Sequence, residues 1–274
     1  MRRLRRQLVI CFTAIVIAYV GIVLLLVWQQ DALVFPGAGR GDRGCGDLPA
    51  VRVVELVRSQ GLRFRIAIAQ SKGAPRAVAV LFVGNGEDLL SGANAATEMA
   101  EYEMEVIAVE HPGYGASQGL PSVASLLDAA SVAGAYARVR ADELHLPLVA
   151  IGTSLGSFCA VHVAAEGRCD RLLLRAPPAS LLAAARARFW WLPVRLVLRH
   201  RFDNLGQAKN VRCPAMVVHG DQDRIVPLEQ GAELVAAFAG PSQLVVAQGY
   251  EHNNVPWSRR GPLGDRIAAF LKFP

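Results

Sequence analysis

The chain of 274 residues has only five cysteines, and no two of them stand in Cys-x-x-Cys spacing. That absence removes zinc fingers and zinc ribbons from consideration. Its glycine clusters lack the full phosphate-loop spacing, which argues against a nucleotide site. Basic charge is also scarcer than the net +6 suggests, because Arg2, Arg3, Arg5 and Arg6 supply four of those charges. The remainder offers no basic face for a nucleic acid. Cys11 lies in the apolar N-terminal run, and Cys45, Cys159, Cys169 and Cys213 are scattered. Cys159 and Cys213 sit among apolar residues and read as small core side chains. A disulfide from Cys45 to another of the later cysteines stays open, since spacing alone gives no pairing.

Charge is missing altogether from residues 8–28, a run of 21 residues behind the N-terminal arginines. At about 1.5 Å rise per residue such a helix spans the roughly 30 Å apolar core of a bilayer. The preceding arginines favour a cytoplasmic N-terminus, with Trp28 at the far interface. A cleaved signal peptide would carry a shorter apolar run and a small-x-small site, and Val27-Trp28-Gln29-Gln30 offers none. The preferred reading is an uncleaved signal anchor over 1–30. A cleaved signal or a buried helix are the alternatives. The expected location is single-pass in the inner membrane, with the rest of the chain on the non-cytoplasmic side.

What remains is apolar enough, at 53 % of the whole chain, for one sizeable core. Residues 31–49 are rich in Gly, Asp and Pro and read as an irregular tether. Alternation over 51–57 and 62–69 suggests an antiparallel hairpin. Continuous apolar runs at 77–83, 106–109, 148–151, 172–174, 215–219 and 244–247 read as strands covered on both faces. Helical patterns occupy 92–102, 122–139, 157–165, 228–238 and 263–271. This alternation predicts an α/β fold over 50–274, a mostly parallel central sheet flanked by helices, preceded by the single membrane helix. Strand order does not follow from the pattern. Residues 178–211 break the rhythm with aromatics, leucines and arginines. They read either as an amphipathic crossover helix or as a small cap beside a site, with the further option of touching lipid headgroups.

The sharpest local signal is Gly152-Thr153-Ser154-Leu155-Gly156, which follows an apolar strand and precedes a helical pattern. Glycines two residues either side of the serine permit a tight strand-to-helix turn that holds its hydroxyl clear of the sheet. A serine hydroxyl needs an imidazole base and a carboxylate to orient that base. Downstream, Asp223 lies beyond one strand end and His252 beyond the last, in the order Ser, Asp, His. Asp221 is the rival carboxylate, with Asp128 and Asp170 in weaker contexts and Glu251 too close in sequence to approach the ring. His219 is the rival base, but it sits before its turn and is better suited to bracing the Asp loop. His111, His145, His162 and His200 read as structural or surface residues. Backbone N–H groups of Leu155 and Asn85 are candidate donors to an oxyanion.

At these residues the chain resembles the α/β-hydrolase family over about 50–274. It is most similar to membrane-associated bacterial members and to eukaryotic α/β-hydrolase-domain proteins that act as acyl-thioesterases or lysophospholipases. Phe82-Val83-Gly84-Asn85-Gly86-Glu87 matches that family's oxyanion loop, with Val83 where a histidine is frequent. Glu110-His111-Pro112-Gly113-Tyr114-Gly115 resembles the loop after its fourth main strand, with Glu110 for the usual Asp or Asn. The resemblance puts Ser154, Asp223 and His252 on the triad positions and Asn85 and Leu155 on the oxyanion positions. It implies a serine hydrolase acting on an ester or thioester, of a small-molecule or lipid-like acyl substrate, without a metal or organic cofactor. A peptidase or amidase on the same triad is one alternative, and a non-catalytic binding protein on the same scaffold is another.

Overall fold

The computed structural model describes residues 2–45, 48 and 50–273. Helix α1 (Arg2–Trp28) is long and apolar enough to cross a bilayer by length and composition, and none of its described residues is buried. Helix α2 (Gln30–Val34) follows after one residue. Strands β1 (Val51–Val57) and β2 (Arg63–Ala69) form the expected antiparallel hairpin around a 3-10 turn at Ser59–Gly61. The chain then alternates through β3 (Ala77–Phe82), α3 (Leu89–Ala100), β4 (Met104–Val109), α4 (Val123–Leu144), β5 (Leu148–Thr153), α5 (Gly156–Ala165) and β6 (Arg171–Arg175). Short helices α6 (Leu181–Arg188), α7 (Val194–Val197) and α8 (Asn204–Ala208) come next, then β7 (Ala215–Gly220), α9 (Leu228–Ala237), β8 (Ser242–Ala247) and α10 (Gly264–Leu271).

The eight strands form one sheet in the order β1-β2-β4-β3-β5-β6-β7-β8. Pairing is parallel from β4 onward and antiparallel at β1–β2 and β2–β4. Period-two alternation distributes each strand between two cores. Val78, Val80 and Phe82 of β3 face a core shared with α4 and α5, whereas Ala77, Ala79 and Leu81 face one shared with α3 and α10. Strands covered on both sides need no polar face, which is why they read as unbroken apolar runs.

Helix boundaries shift where side chains cap them. Helix α3 starts at Leu89 rather than 92 because the Asp88 carboxylate accepts the Ser91 N–H at 3.0 Å. Helix α4 runs to Leu144, five residues past the expected end, and stops where His145 takes a left-handed conformation at φ 56°. At its start, Ser122 and Ser125 exchange side chain-to-backbone hydrogen bonds in a capping box.

Two stretches differ more from expectation. Of the expected tether over 31–49, Asp31–Val34 complete α2 and Phe35 is buried against His200 and Phe202, and residues 36–45 are irregular; residues 46, 47 and 49 lie outside the described residues. The apolar sequence Ala32-Leu33-Val34-Phe35 provides that anchorage within an otherwise Gly-rich stretch. Residues 178–211 form three short helices instead of one long crossover helix. Ser180 caps α6 through the Ala183 N–H, Pro193 stands at the start of α7, and Asp203 caps α8 through the Gly206 N–H. Cys45 is half-buried, and all five cysteines are unbridged.

Candidate active site

Three loops at the C-terminal ends of the parallel strands converge, where open α/β sheets place their sites. The first is the turn from β5 into α5. Ser154 adopts φ 48°, a left-handed conformation that a residue with a side chain rarely takes. The surroundings enforce it: a Cβ at position 152 would meet the Ser157 Cα at 2.7 Å, and one at 156 would overlap the Phe82 carbonyl. Both glycines are therefore required by close backbone approach, as their spacing suggested.

The Ser154 Oγ lies 2.9 Å from His252 Nε2, and His252 Nδ1 lies 2.7 Å from Asp223 Oδ2. A carboxylate only accepts, so Nδ1 carries the proton and Nε2 is left to accept from the serine hydroxyl. Asp223 is held firmly in turn, since its Oδ1 accepts the N–H groups of Ile225 at 2.9 Å and Val226 at 2.8 Å. His219 Nε2 donates to the Val226 carbonyl at 2.9 Å and stands 3.2 Å from Asp223 Oδ2. It thus braces the aspartate loop from within β7, and does not approach Ser154. Burial alone would raise the Asp223 pKa. Hydrogen bonds from His219 and His252, with the Val226 N–H, outweigh it and hold the group well below the usual carboxylate range.

The rival carboxylates are engaged elsewhere. Asp221 accepts the Gly249 N–H at 2.6 Å, which ties the β7 turn to the β8 loop. Asp128 receives Arg58 and Ser59, Asp170 receives Arg138 and the Leu148 N–H, and Glu251 is exposed. His145 ends α4, His162 bonds Ser131 and Gln207, and His200 meets Asp31.

Asn85 and Leu155 both line the cavity that Ser154 opens into. Among the described residues, neither backbone N–H donates to a backbone carbonyl outside regular elements. The loop bearing Asn85 is braced from three directions. His111 Nε2 donates to the Val83 carbonyl at 2.9 Å, the Tyr114 hydroxyl donates to the Asn85 carbonyl at 2.7 Å, and the Gly84 N–H donates to the Glu87 carboxylate. The sequence reads His111 as a structural or surface residue, and buried against the Val83 carbonyl it is structural.

His111 is fully buried, and that burial lowers its pKa from 6.5 despite the Val83 bond and the nearby Glu87 and Glu110 carboxylates. The unfolded chain then binds a proton more readily than the native state, so stability falls as pH drops below about 6.5. Between pH 7 and pH 5, the Tm of the wild type should decline more steeply than that of a His111→Gln variant, which keeps a donor but does not titrate. Parallel Tm profiles by circular dichroism would contradict this.

The cavity above Ser154 is about 400 Å³ and predominantly apolar. One wall is the end of α1, through Val23, Leu26 and Val27, and another is the α6–α7 segment, through Leu181, Phe189 and Leu192. Such a volume suits a small ligand or an acyl chain. Among the described residues, no group of three or more His, Cys, Asp or Glu side chains is placed to hold a metal ion. The arrangement can generate a serine nucleophile and offer backbone donors beside it.

Comparison with known proteins agrees with this fold. The family model described as serine aminopeptidase, S33 matches residues 73–205, which include Ser154. An uncharacterized protein of Mycobacterium tuberculosis is 29 % identical over 273 residues, covering 99 % of this chain and 96 % of its own length. Human alpha/beta hydrolase domain-containing protein 17B is 23 % identical over 150 residues, 55 % of this chain and 51 % of that protein. Among solved structures, a Pyrococcus furiosus esterase superposes with a TM-score of 0.69 at 15 % identity, covering 85 % of this chain and 95 % of that one. The esterase domain of a Rhodothermus marinus protein gives 0.60 at 17 % identity, covering 80 % and 97 %.

Proposed function

We propose that this chain, a serine hydrolase of the α/β-hydrolase fold, cleaves a carboxylic ester or thioester bearing an apolar acyl group, with Ser154 as nucleophile. The observation that carries the reading is the hydrogen-bonded line Ser154–His252–Asp223 at the floor of an apolar cavity. In this mechanism His252 takes the Ser154 proton as Oγ attacks the carbonyl, and Asp223 stabilises the imidazolium that forms. The N–H groups of Asn85 and Leu155 receive the oxyanion. Collapse of the tetrahedral intermediate expels the alcohol or thiol, protonated by His252, and leaves an acyl-enzyme. His252 then deprotonates a water that releases the acid and restores Ser154.

The same triad chemistry serves amides, so a panel of acyl esters, acyl thioesters and peptide amides tests the assignment. Turnover of esters or thioesters well above amides, with Ser154→Ala as the blank, is the expected result. A preference for peptide amides would replace the reading with a peptidase.

We read 1–30 as a signal anchor in the inner membrane, with the N-terminus cytoplasmic and 50–274 as a catalytic domain outside. Residues 178–211 act as a small cap. The arginines before an uncharged run of bilayer length support this orientation. Lys72 is exposed on the turn before β3. A Lys72→Cys variant is expected to gain labelling by a membrane-impermeant maleimide in intact spheroplasts, relative to wild type. Labelling only after lysis would put the domain in the cytoplasm.

A further inference from the structure

Helices α1 and α2 do more than precede the domain; they are fastened to the 178–211 segment, α2 through Gln30 and Asp31 and α1 through Tyr19. The Gln30 side chain donates through Nε2 to the Val197 carbonyl at 3.0 Å and accepts the Arg199 N–H through Oε1 at 2.6 Å. Gln30 is buried, so this pair of bonds replaces solvent for both groups. Beside it, Asp31 meets His200 at 2.7 Å and Arg199 at 3.2 Å. Farther back along α1, the Tyr19 hydroxyl donates to the Trp191 carbonyl at 3.1 Å, and the two rings stand edge to face at 6.4 Å.

That last contact sets a depth. Tyr19 precedes Trp28 by nine residues, which at about 1.5 Å per residue is roughly 13 Å along the helix. If 8–28 spans the bilayer, the turn between α6 and α7 that touches Tyr19 lies within the leaflet, at the level of the acyl chains. Its surface has the matching chemistry. Trp190 is 82 % exposed and Leu196 is 84 % exposed, an unusual display for a water-facing helix pair. Residues 176–202 carry five arginines and no acidic residue, suited to anionic headgroups above an apolar wedge. The cavity walls Val23, Leu26 and Val27 belong to the same uncharged run, so a bilayer spanned by 8–28 would adjoin the cavity on the α1 side.

Resting on the ester-hydrolase reading above, we infer that the α6–α7 segment is seated in the leaflet beside α1. The cavity then takes the acyl chain of an acyl-ester membrane lipid sideways from that leaflet. The ester carbonyl reaches Ser154, and water divides the lipid into a fatty acid and the alcohol that remains in the membrane. A soluble short-chain ester reaches the same serine without the seating.

The full chain in nanodiscs of anionic phospholipid tests both halves of this inference. Lipids carrying a nitroxide on the acyl chain are expected to quench Trp190, read as the part of the tryptophan quenching lost in Trp190→Phe. A Trp190→Ala/Leu196→Asp variant is expected to lose about tenfold or more turnover of a long-chain ester embedded in the disc, as removal of two apolar anchors from the leaflet implies. Its turnover of a soluble butyrate ester should stay within about twofold, as for other exposed substitutions. Quenching indifferent to Trp190 would overturn the seating. Equal effects on the two esters, or none on either, would overturn lateral delivery. If the wild type turned over neither ester, the hydrolase reading itself would fall, while the quenching measurement would still decide the seating.

Discussion

Ser154→Ala is expected to lower ester turnover by on the order of 10⁵-fold or more, the scale of losing the nucleophile of a coupled triad, and to abolish covalent labelling by a fluorophosphonate. The size follows from the geometry. The hydroxyl that His252 Nε2 approaches at 2.9 Å is the only part of the arrangement that can form the acyl-enzyme. What would survive is binding and, on the proposed mechanism, the Asn85 and Leu155 donors, which would still favour attack by water to a small degree. The substitution should not unfold the chain, because Ser154 is partly exposed and the strained turn is imposed by Gly152 and Gly156. A circular dichroism spectrum matching the wild type secures the interpretation. Retention of normal turnover would remove Ser154 from the mechanism.

Asp223→Asn should reduce kcat by roughly 10⁴-fold with a smaller change in KM. The amide cannot accept from His252 Nδ1 through its NH₂ group, and if that group faces the ring the imidazole takes the wrong tautomer for accepting the serine proton. With the NH₂ group in place of Oδ2, the Ile225 and Val226 N–H groups keep their Oδ1 acceptor, but His219 Nε2 and His252 Nδ1 both face a donor, so a loss of stability accompanies it. The pH dependence has a definite sign. The native Asp223 pKa is depressed, so its contribution is fully present above the unfolded carboxyl value near 4 and fades as pH falls through the native value. The Tm gap between wild type and variant should therefore be widest above pH 4 and shrink on acidification. A kcat within tenfold of wild type would transfer the orienting role to another group, and Asp221, occupied by the Gly249 N–H, is poorly placed to take it.

Much of this site was legible in the chain because its signals are local. The two glycines around Ser154, the apolar run before it and the helical pattern after it are contiguous, and their meaning depends only on backbone sterics. Asp223 and His252 were legible because each follows a recognisable strand, and strand ends share one edge in a parallel sheet. The rivals separated for equally physical reasons. His219 lies inside β7, where its ring points to the loop it braces.

Other features depend on contacts between distant segments and leave no such trace. Nothing in Glu110-His111-Pro112 announces that an imidazole will hold the Val83 carbonyl 28 positions earlier. The division of 178–211 is set locally, by Ser180 and Asp203 capping N–H groups three residues on and by Pro193 before α7, but the segment is closed by a distant contact, the Leu181 N–H donating to the Phe202 carbonyl. Phe35 falls in the stretch read as an irregular tether, and it is buried with the distant rings of His200 and Phe202 edge-on to its own.

The sequence by itself determined the alternating layers, the serine turn, the order of the three candidate residues and an uncharged N-terminal run of bilayer length. Each is a property of neighbouring residues, set by periodicity, glycine sterics or hydrophobicity. Tertiary structure alone decided that the same N-terminal helix walls the cavity above Ser154 and that Gln30, just after it, is clamped to Val197 and Arg199. Residues 167 and 169 positions apart meet there through two backbone groups, and backbone groups are identical at every position of a chain, so no pattern of side chains could have foretold which pair would meet.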